Sequence, residues 1–157
     1  MKPEEKFLPI DKKSNQVYLG RGIHTLGLIG WILSQTGPAE VIVTTFSTSI
    51  EFLSGFFNLR KKGLITDATM VADLKASKKT MKLDAILDSC FEHIHLAENH
   101  SKVVLIATDT EKISVISSQN NTYGGRIECT YVTTDTEIYD NLCADISTMV
   151  EKSLKIK

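Results

Sequence analysis

Residues 99–122, "NHSKVVLIATDTEKISVISSQNNT", are the most informative part of the chain, because two apolar runs flank a short polar break. The runs "VVLIA" and "ISVIS" are rich in β-branched residues, and the polar break between them is typical of a hairpin turn. His100 and Lys102 precede the first run, whereas Ser118 and Asn120 follow the second. The sequence therefore predicts two antiparallel strands with polar side chains gathered at one end.

The length of the turn determines which of these polar side chains meet. Residues two apart in a strand share a face, so His100 and Lys102 project together, as do Ser118 and Asn120. If residues 109–111 form a three-residue turn, Lys102 lies opposite Ser118 and His100 lies opposite Asn120. We expect this pairing, since a two-residue turn would shift the register by one residue and separate the four groups.

The rest of the chain alternates strand and helix patterns. A β-branched run at 40–46, a helical pattern at 47–63 with Ser47 as its N-cap, and a second strand at 64–72 predict a parallel βαβ unit. Apolar residues at helical spacing also predict a helix before this unit and another at the end of the chain. We expect an α/β fold whose central sheet is mixed, mostly parallel and flanked by helices on both faces.

Composition favours one domain of ordinary size. The 157 residues, 42% of them hydrophobic, suffice for a single core, which we place at 16–157 after a flexible leader over 1–15. Eighteen basic and nineteen acidic residues give a net charge of −1, so no global charge attracts nucleic acid or an anionic membrane. One basic segment stands out, with lysines at 75, 78, 79 and 82, and it is either a solvated loop or a contact for a substrate backbone.

Neither a secretory leader nor a membrane anchor is visible. The start "MKPEEKFLPIDKK" lacks an apolar stretch, and no apolar run approaches the roughly 20 residues that span a bilayer. The three cysteines are scattered and odd in number, which argues against a disulfide framework. We therefore expect a cytoplasmic protein.

The polar cluster around residue 100 suits phosphoryl transfer. A neutral imidazole can attack phosphorus, a lysine can hold phosphoryl oxygens, and hydroxyl and amide donors can steady the remaining charge. A strand whose polar end merely reaches solvent is the structural alternative.

These residues also resemble a known signature. "HSK", an apolar strand, a turn and "SSQN" resemble the H-x-K … G-S-x-N motif of the phospholipase D superfamily. "GGRIECTYVTTD" resembles the R-x-x-E strand that follows it there, and the resemblance extends over about residues 38–150. It implies a phosphodiesterase that needs neither metal nor cofactor.

The resemblance assigns a role to each matching residue. His100 matches the nucleophile that forms a phosphohistidine intermediate, while Lys102 and Asn120 match phosphate ligands. Ser118 matches the serine of the G-S pair, and Glu128 matches the acidic residue that orients the catalytic histidine.

The family mechanism uses two such motifs, one for attack and one for protonating the leaving oxygen. This chain carries one motif, so the resemblance implies a homodimer that places two copies of His100 across a shared phosphate. Short single-motif members, nucleases among them, are built this way, which makes DNA or RNA the expected substrate class.

Two departures from the pattern keep alternatives open. Ala107 stands where the family has an aspartate, and Ser117 stands where it has a glycine. A catalytically impaired module that still binds phosphate or nucleic acid is therefore the main alternative. A phospholipid hydrolase is a lesser one, and so is a metal hydrolase on the ligands His93, His95, Glu98 and His100.

Overall fold

The computed structural model describes residues 1–157, and its backbone builds one eight-stranded sheet with helices on both faces. The strands are β1 Asn15–Gly20, β2 Ala39–Thr45, β3 Ile65–Asp73, β4 His93–Ala97, β5 Val103–Ala107, β6 Lys112–Ser117, β7 Glu128–Thr133 and β8 Leu154–Lys155. The helices are α1 Thr25–Thr36, α2 Ile50–Lys61, α3 Ser77–Met81, α4 Asp84–Cys90 and α5 Thr136–Glu151, and a 3-10 turn spans Pro3–Glu5.

The sheet is mixed, and its strands lie in the order β1-β7-β6-β5-β2-β3-β4-β8. Only the β2–β3 and β3–β4 pairs are parallel, and the remaining five neighbouring pairs are antiparallel. The α/β class and the flanking helices are confirmed, but the expectation of a mostly parallel sheet is wrong. Strands β5, β6 and β7 follow one another without a crossover helix, and short connections join antiparallel strands only.

Alternate side chains of the central strands enter two separate cores. Val104 and Ile106 pack in the larger core against α1, α2 and α4, whereas Val103 and Leu105 pack in a smaller core against α5. This alternation is the period of two expected of a strand buried on both faces. It places Lys102 on the same face as Val104, toward α1.

Helix α2 begins two residues later than predicted. Ser49 is its N-cap, and the Ser49 hydroxyl accepts a hydrogen bond from the Phe52 N–H at 3.3 Å. The predicted cap, Ser47, is buried, and its carbonyl accepts from the Thr45 hydroxyl at 2.7 Å. The Ser49 N–H donates to the Asn121 carbonyl at 3.0 Å, so the chain stays extended as far as Ser49.

The predicted flexible leader instead packs onto the domain. Phe7 and Ile10 are buried in the larger core. The Leu8 N–H donates to the Gln16 Oε1 at 2.7 Å, and the Ile10 N–H donates to the Gln35 Oε1 at 2.9 Å. Two apolar side chains among charged neighbours are enough to hold this segment against β1 and α1. Among the helices, none has the length and apolar character that crossing a membrane requires.

Candidate functional site

All the predicted site residues lie at one end of the sheet, which we call the site end. Strands β2, β3, β4 and β6 finish here, and β5 and β7 begin here. His100 and Lys102 lie in the β4–β5 connection, Ser118 and Asn120 lie in the β6–β7 connection, and Glu128 is the first residue of β7. The topology therefore brings together residues as far apart in the sequence as His100 and Glu128.

His100 and Lys102 form a close pair. The Lys102 Nζ lies 2.9 Å from the His100 Nδ1 and also donates to the His100 carbonyl at 2.7 Å. His100 is exposed, and its ring lies 5.2 Å from the ring of Phe46, centroid to centroid. Burial lowers the pKa of Lys102, and the nearby negative charge of Glu128 opposes that shift.

The contact between the two side chains constrains the imidazole. An ammonium group can only donate, so the His100 Nδ1 must accept, and the neutral ring then carries its proton on Nε2. In this arrangement neither ring nitrogen has a free lone pair. An anion that drew the Lys102 ammonium away would release the Nδ1 lone pair.

The β5–β6 hairpin has a two-residue turn, so the predicted three-residue turn is wrong. The Thr108 N–H donates to the Glu111 carbonyl at 2.9 Å, and Asp109 and Thr110 form the tip. The Thr108 hydroxyl also accepts from the N–H groups of Thr110 and Glu111, at 3.3 and 3.0 Å. This side chain closes the tight turn, and it shifts the register by one residue.

The shifted register changes the partners of Lys102. The Ser117 N–H donates to the Lys102 carbonyl at 3.0 Å, so Ser117 lies opposite Lys102 in place of Ser118. The Ser118 hydroxyl instead donates to the Glu128 carboxylate and accepts from the Cys129 N–H at 3.0 Å. The predicted pairing of Lys102 with Ser118 is therefore wrong.

A closed gap, too narrow to admit a water molecule, lies beside Lys102, and we call it the Lys102 gap. Its lining comprises Thr25, Lys102, Val103, Val104, Val115, Ser117, Gln119 and Asn121. Asn121 is 2% exposed, and its Nδ2 is buried without a hydrogen-bond partner. A buried donor without a partner costs about 1–3 kcal/mol, so a rearrangement that brought an acceptor atom to the Asn121 Nδ2 would remove this cost.

Gln119 joins the gap to helix α1. The Gln119 Oε1 accepts from the Thr25 N–H at 2.9 Å and from the Thr25 hydroxyl at 3.2 Å. The pattern "SSQNN" could have revealed these residues, because a period of two groups residues 117, 119 and 121 as readily as it groups 118 and 120. Only the length of the turn distinguishes the two sets.

Glu128 lies near Lys102 but makes no hydrogen bond with His100. Its carboxylate accepts from the Ser118 hydroxyl, and its charge is one of the two influences on the pKa of Lys102. The resemblance implies that Glu128 orients the His100 ring, but this structure has no hydrogen bond between the two side chains.

A buried polar network anchors the β4–β5 connection. The Asp73 carboxylate accepts from the Asn99 N–H at 2.8 Å. The Asn99 amide donates to the carbonyls of Thr45 at 3.1 Å and Val71 at 3.4 Å, and its Oδ1 accepts from the Ser101 N–H at 3.0 Å. Asn99 therefore ties the connection that carries His100 and Lys102 to the ends of β2 and β3.

The structure brings no metal-binding group together. No set of three or more histidine, cysteine, aspartate or glutamate side chains is placed to hold a metal ion. His93 and His95 lie on β4, where the His95 Nδ1 is 2.9 Å from the Ser153 hydroxyl. The alternative of a histidine-rich metal site has no geometry to support it.

Four lysines at the site end are free of ion pairs. They follow β3 or belong to α3 and its C-terminal flank, all four are exposed, and none has a carboxylate within 4.0 Å. They are Lys75, Lys78, Lys79 and Lys82. Their positive charge is available to a polyanion that reaches the site end.

No protein-family model matches the sequence, and no curated protein matches it either. Several solved structures have a similar fold. The phospholipase D family member Nuc from Salmonella typhimurium is 15% identical, with a TM-score of 0.64 over 91% of this chain and 99% of its own. NucT from Helicobacter pylori is 16% identical, with a TM-score of 0.66 over 89% of this chain and 97% of its own.

A larger protein contains the same fold. Polyphosphate kinase from Porphyromonas gingivalis is 17% identical, with a TM-score of 0.65 over 89% of this chain. The chain spans 26% of that kinase, so the likeness concerns one part of it.

Proposed function

We propose that this chain, which has the phospholipase D-superfamily fold that its motifs predicted, hydrolyses phosphodiesters through His100 and Lys102. One observation carries the proposal. The His100 imidazole and the Lys102 ammonium lie 2.9 Å apart, and Lys102 borders the same gap as Asn121, whose buried Nδ2 has no partner. A nucleophile, a cation and a free buried donor in one place are the groups that phosphoryl transfer requires.

In the proposed reaction, phosphate binding draws the Lys102 ammonium from His100 to the non-bridging oxygens. A freed imidazole nitrogen of His100 attacks phosphorus, and the bond from phosphorus to the leaving oxygen breaks. The attacking imidazole keeps the proton on its second nitrogen, so it does not protonate the leaving oxygen. A second acid must supply that proton, and we propose His100 of the partner subunit. Water deprotonated by that same imidazole then attacks the phosphohistidine, releasing the phosphomonoester and restoring His100.

The donor set follows from the observed register. Lys102 is partly exposed at the edge of the Lys102 gap, so we propose it as the ligand of the phosphate, with Ser117 and Asn121 lining the gap behind it. Ser118 and Glu128 bond to each other outside this lining, and we propose that their role is to hold the start of β7.

We further propose a homodimer with nucleic acid as the substrate. Each chain supplies one His100 at the site end, and two-fold pairing would supply both groups that the reaction needs. The four exposed lysines beyond β3 offer contacts for a sugar-phosphate backbone. With a net charge of −1 for the whole chain, such binding should be weak and strongly dependent on salt.

Hydrolysis of a bis-aryl phosphodiester in the presence of EDTA tests the chemistry. The wild-type protein should retain activity with the chelator, and His100→Asn should lose at least about 100-fold in kcat/KM, because the nucleophile is gone. His93→Asn is the matched control, since His93 is exposed on β4 away from the pair. Equal activity in His100→Asn and the wild type would remove the proposed nucleophile.

Mixing the two proteins tests the dimer. If each site needs His100 from both chains, activity in a mixture with His100→Asn should fall with the square of the wild-type fraction. A linear fall would mean that each chain works alone, and sedimentation velocity at high concentration should then show only monomer.

A non-catalytic binding module is the second candidate, and two observations favour it. Lys102 occupies the Nδ1 of His100, and Glu128 makes no hydrogen bond to that ring. If neither protein hydrolyses any of a broad panel of phosphodiesters while both bind oligonucleotides, the chain is a binding module.

A further inference from the structure

Tyr123 presents an aromatic surface that contacts His24, a neighbour of the Lys102 gap. Its ring lies 4.4 Å from the ring of His24, centroid to centroid, with 52° between the planes. Tyr123 is nevertheless 55% exposed, so His24 covers only part of the ring. An exposed tyrosine that is already held by a second aromatic ring loses little side-chain freedom when a flat ligand stacks on it.

Residues of the gap itself hold this aromatic pair. The Gln119 Nε2 lies 3.5 Å from the His24 Nδ1, while the Gln119 Oε1 bonds the neighbouring Thr25. Gln119 and Thr25 both line the gap beside Lys102. The Tyr123–His24 pair is therefore adjacent to the place where the phosphate is proposed to bind.

The segment that carries Tyr123 is anchored at its base and open beyond it. The Asn121 N–H donates to the Thr45 hydroxyl at 3.3 Å, and its carbonyl accepts from the Ser49 N–H at 3.0 Å. After Tyr123, the glycines 124 and 125 have no atom within 4 Å of where a side chain would stand, and Arg126 is exposed. A ligand can thus approach the tyrosine from solvent with a guanidinium nearby.

We propose that Tyr123, supported by His24, is a stacking subsite for one unpaired nucleobase of a single-stranded nucleic acid. This inference rests on the proposed function, because the base would belong to a strand whose phosphate is bound by Lys102. Stacking of a base on an aromatic side chain is worth about 1–3 kcal/mol and does not depend on base identity. Bases inside a duplex already stack on their neighbours, so the subsite selects single strands.

Burial of His24 supports the same assignment. It lowers the pKa of the His24 imidazole, which keeps the ring uncharged at neutral pH. Arg21 and Arg126 are the exposed cations near this part of the sequence, and either could contact the backbone that carries the stacked base.

Binding to fluorescein-labelled oligonucleotides tests the inference without requiring turnover. The parent protein is His100→Asn, the ligand is a ten-residue oligothymidylate, and the comparison ligand is an abasic strand of the same length. Tyr123→Ala should weaken binding of oligothymidylate by about 5- to 150-fold, which is the stacking energy converted to a ratio of Kd values. Tyr123→Phe should keep the parent affinity, since it keeps the ring.

Three comparisons can overturn the inference. Tyr123→Ala must leave the abasic strand and a blunt duplex unaffected, because neither offers an unpaired base. Ile127→Ala, at an exposed residue of the same segment, must not reproduce the loss. An equal loss for both single strands, no loss for either, or no binding of oligothymidylate by the parent would each refute the subsite.

The outcome is separable from that of the catalytic proposal. If the wild type hydrolyses no phosphodiester but the Tyr123 effects appear as stated, the subsite stands and the catalytic role of His100 fails. If hydrolysis depends on His100 while oligothymidylate and abasic strands behave alike, the reverse holds.

Discussion

Asn99→Ala should destabilise the protein by about 2–4 kcal/mol, because Asn99 ties the β4–β5 connection to β2 and β3 at the site end. Asn99 is 4% exposed, and its amide donates to the Thr45 and Val71 carbonyls and accepts from the Ser101 N–H. Alanine would leave these buried groups without a partner. Each such loss costs about 1–3 kcal/mol, and the long 3.4 Å bond to Val71 counts least.

Urea denaturation followed by circular dichroism measures this effect. With an m-value of about 2 kcal/mol/M, the midpoint should fall by about 1–2 M while the slope stays the same. Asn141→Ala is the control, since Asn141 is exposed on α5, and its free energy of unfolding should change by less than about 0.5 kcal/mol.

A second variant separates loss of volume from loss of hydrogen bonds. Asn99→Asp keeps the shape and the acceptor for Ser101, but its carboxylate would face the carbonyls of Thr45 and Val71. It should therefore be at least as unstable as Asn99→Ala at neutral pH. A midpoint for Asn99→Ala within 0.2 M (~0.4 kcal/mol) of wild type would refute the reasoning, as would a fully stable Asn99→Asp.

Two other predictions concern ionisable groups in the core and at its border. Burial opposes ionisation of Glu92, but hydrogen bonds from Arg60 and from the Ala68 N–H outweigh it and lower the pKa of Glu92. The stability from this group is therefore present above the unfolded pKa of about 4.3 and is lost as the pH falls through the lowered value. After allowance for partial exposure, Glu92→Gln should cost about 1 kcal/mol in urea unfolding at pH 7 and progressively less as the pH falls below about 4, and a difference that stays constant with pH would contradict this. Burial also raises the pKa of Cys90 to about 11, whereas Cys129 is exposed. A thiol reagent at pH 8 should therefore label Cys129 in the native protein and Cys90 only after unfolding. Peptide mass spectrometry measures the labelling of each cysteine. Equal labelling rates for Cys90 and Cys129 in the native protein would contradict the burial of Cys90.

The strands and helices could be predicted because they depend on local periodicity. The hairpin of β5 and β6 and the βαβ unit both follow from apolar spacing, and each is present. Whether neighbouring strands are parallel or antiparallel was harder to predict from the sequence, because it depends on which connections contain a helix. The leader was missed since Phe7 and Ile10 are only two apolar residues among many polar ones, and composition cannot show what two side chains touch.

The candidate site likewise has a part that could be predicted from the sequence and a part that could not. His100 and Lys102 are two residues apart, so their proximity follows from local geometry, and the structure has them in contact. Their partners across the hairpin depend on the turn, where the Thr108 hydroxyl closes a loop one residue shorter than predicted. A difference of one residue exchanges Ser118 for Ser117, which side-chain spacing alone could not have shown.

Hydrogen bonds fix the observed register at both ends of the β5–β6 hairpin. The presence of Ser117 in place of Ser118 opposite Lys102 is therefore a consequence of the fold. At the turn, the Thr108 N–H and hydroxyl close a two-residue loop. At the site end, the backbone of Asn121 bonds to Thr45 and Ser49 on the β2–α2 segment. Moving the strand by one residue would break both sets of bonds and would also reverse which side chains of β6 enter the larger core. The packing of the whole sheet thus determines which donors face Lys102. It thereby also determines which groups are available for the chemistry of the site.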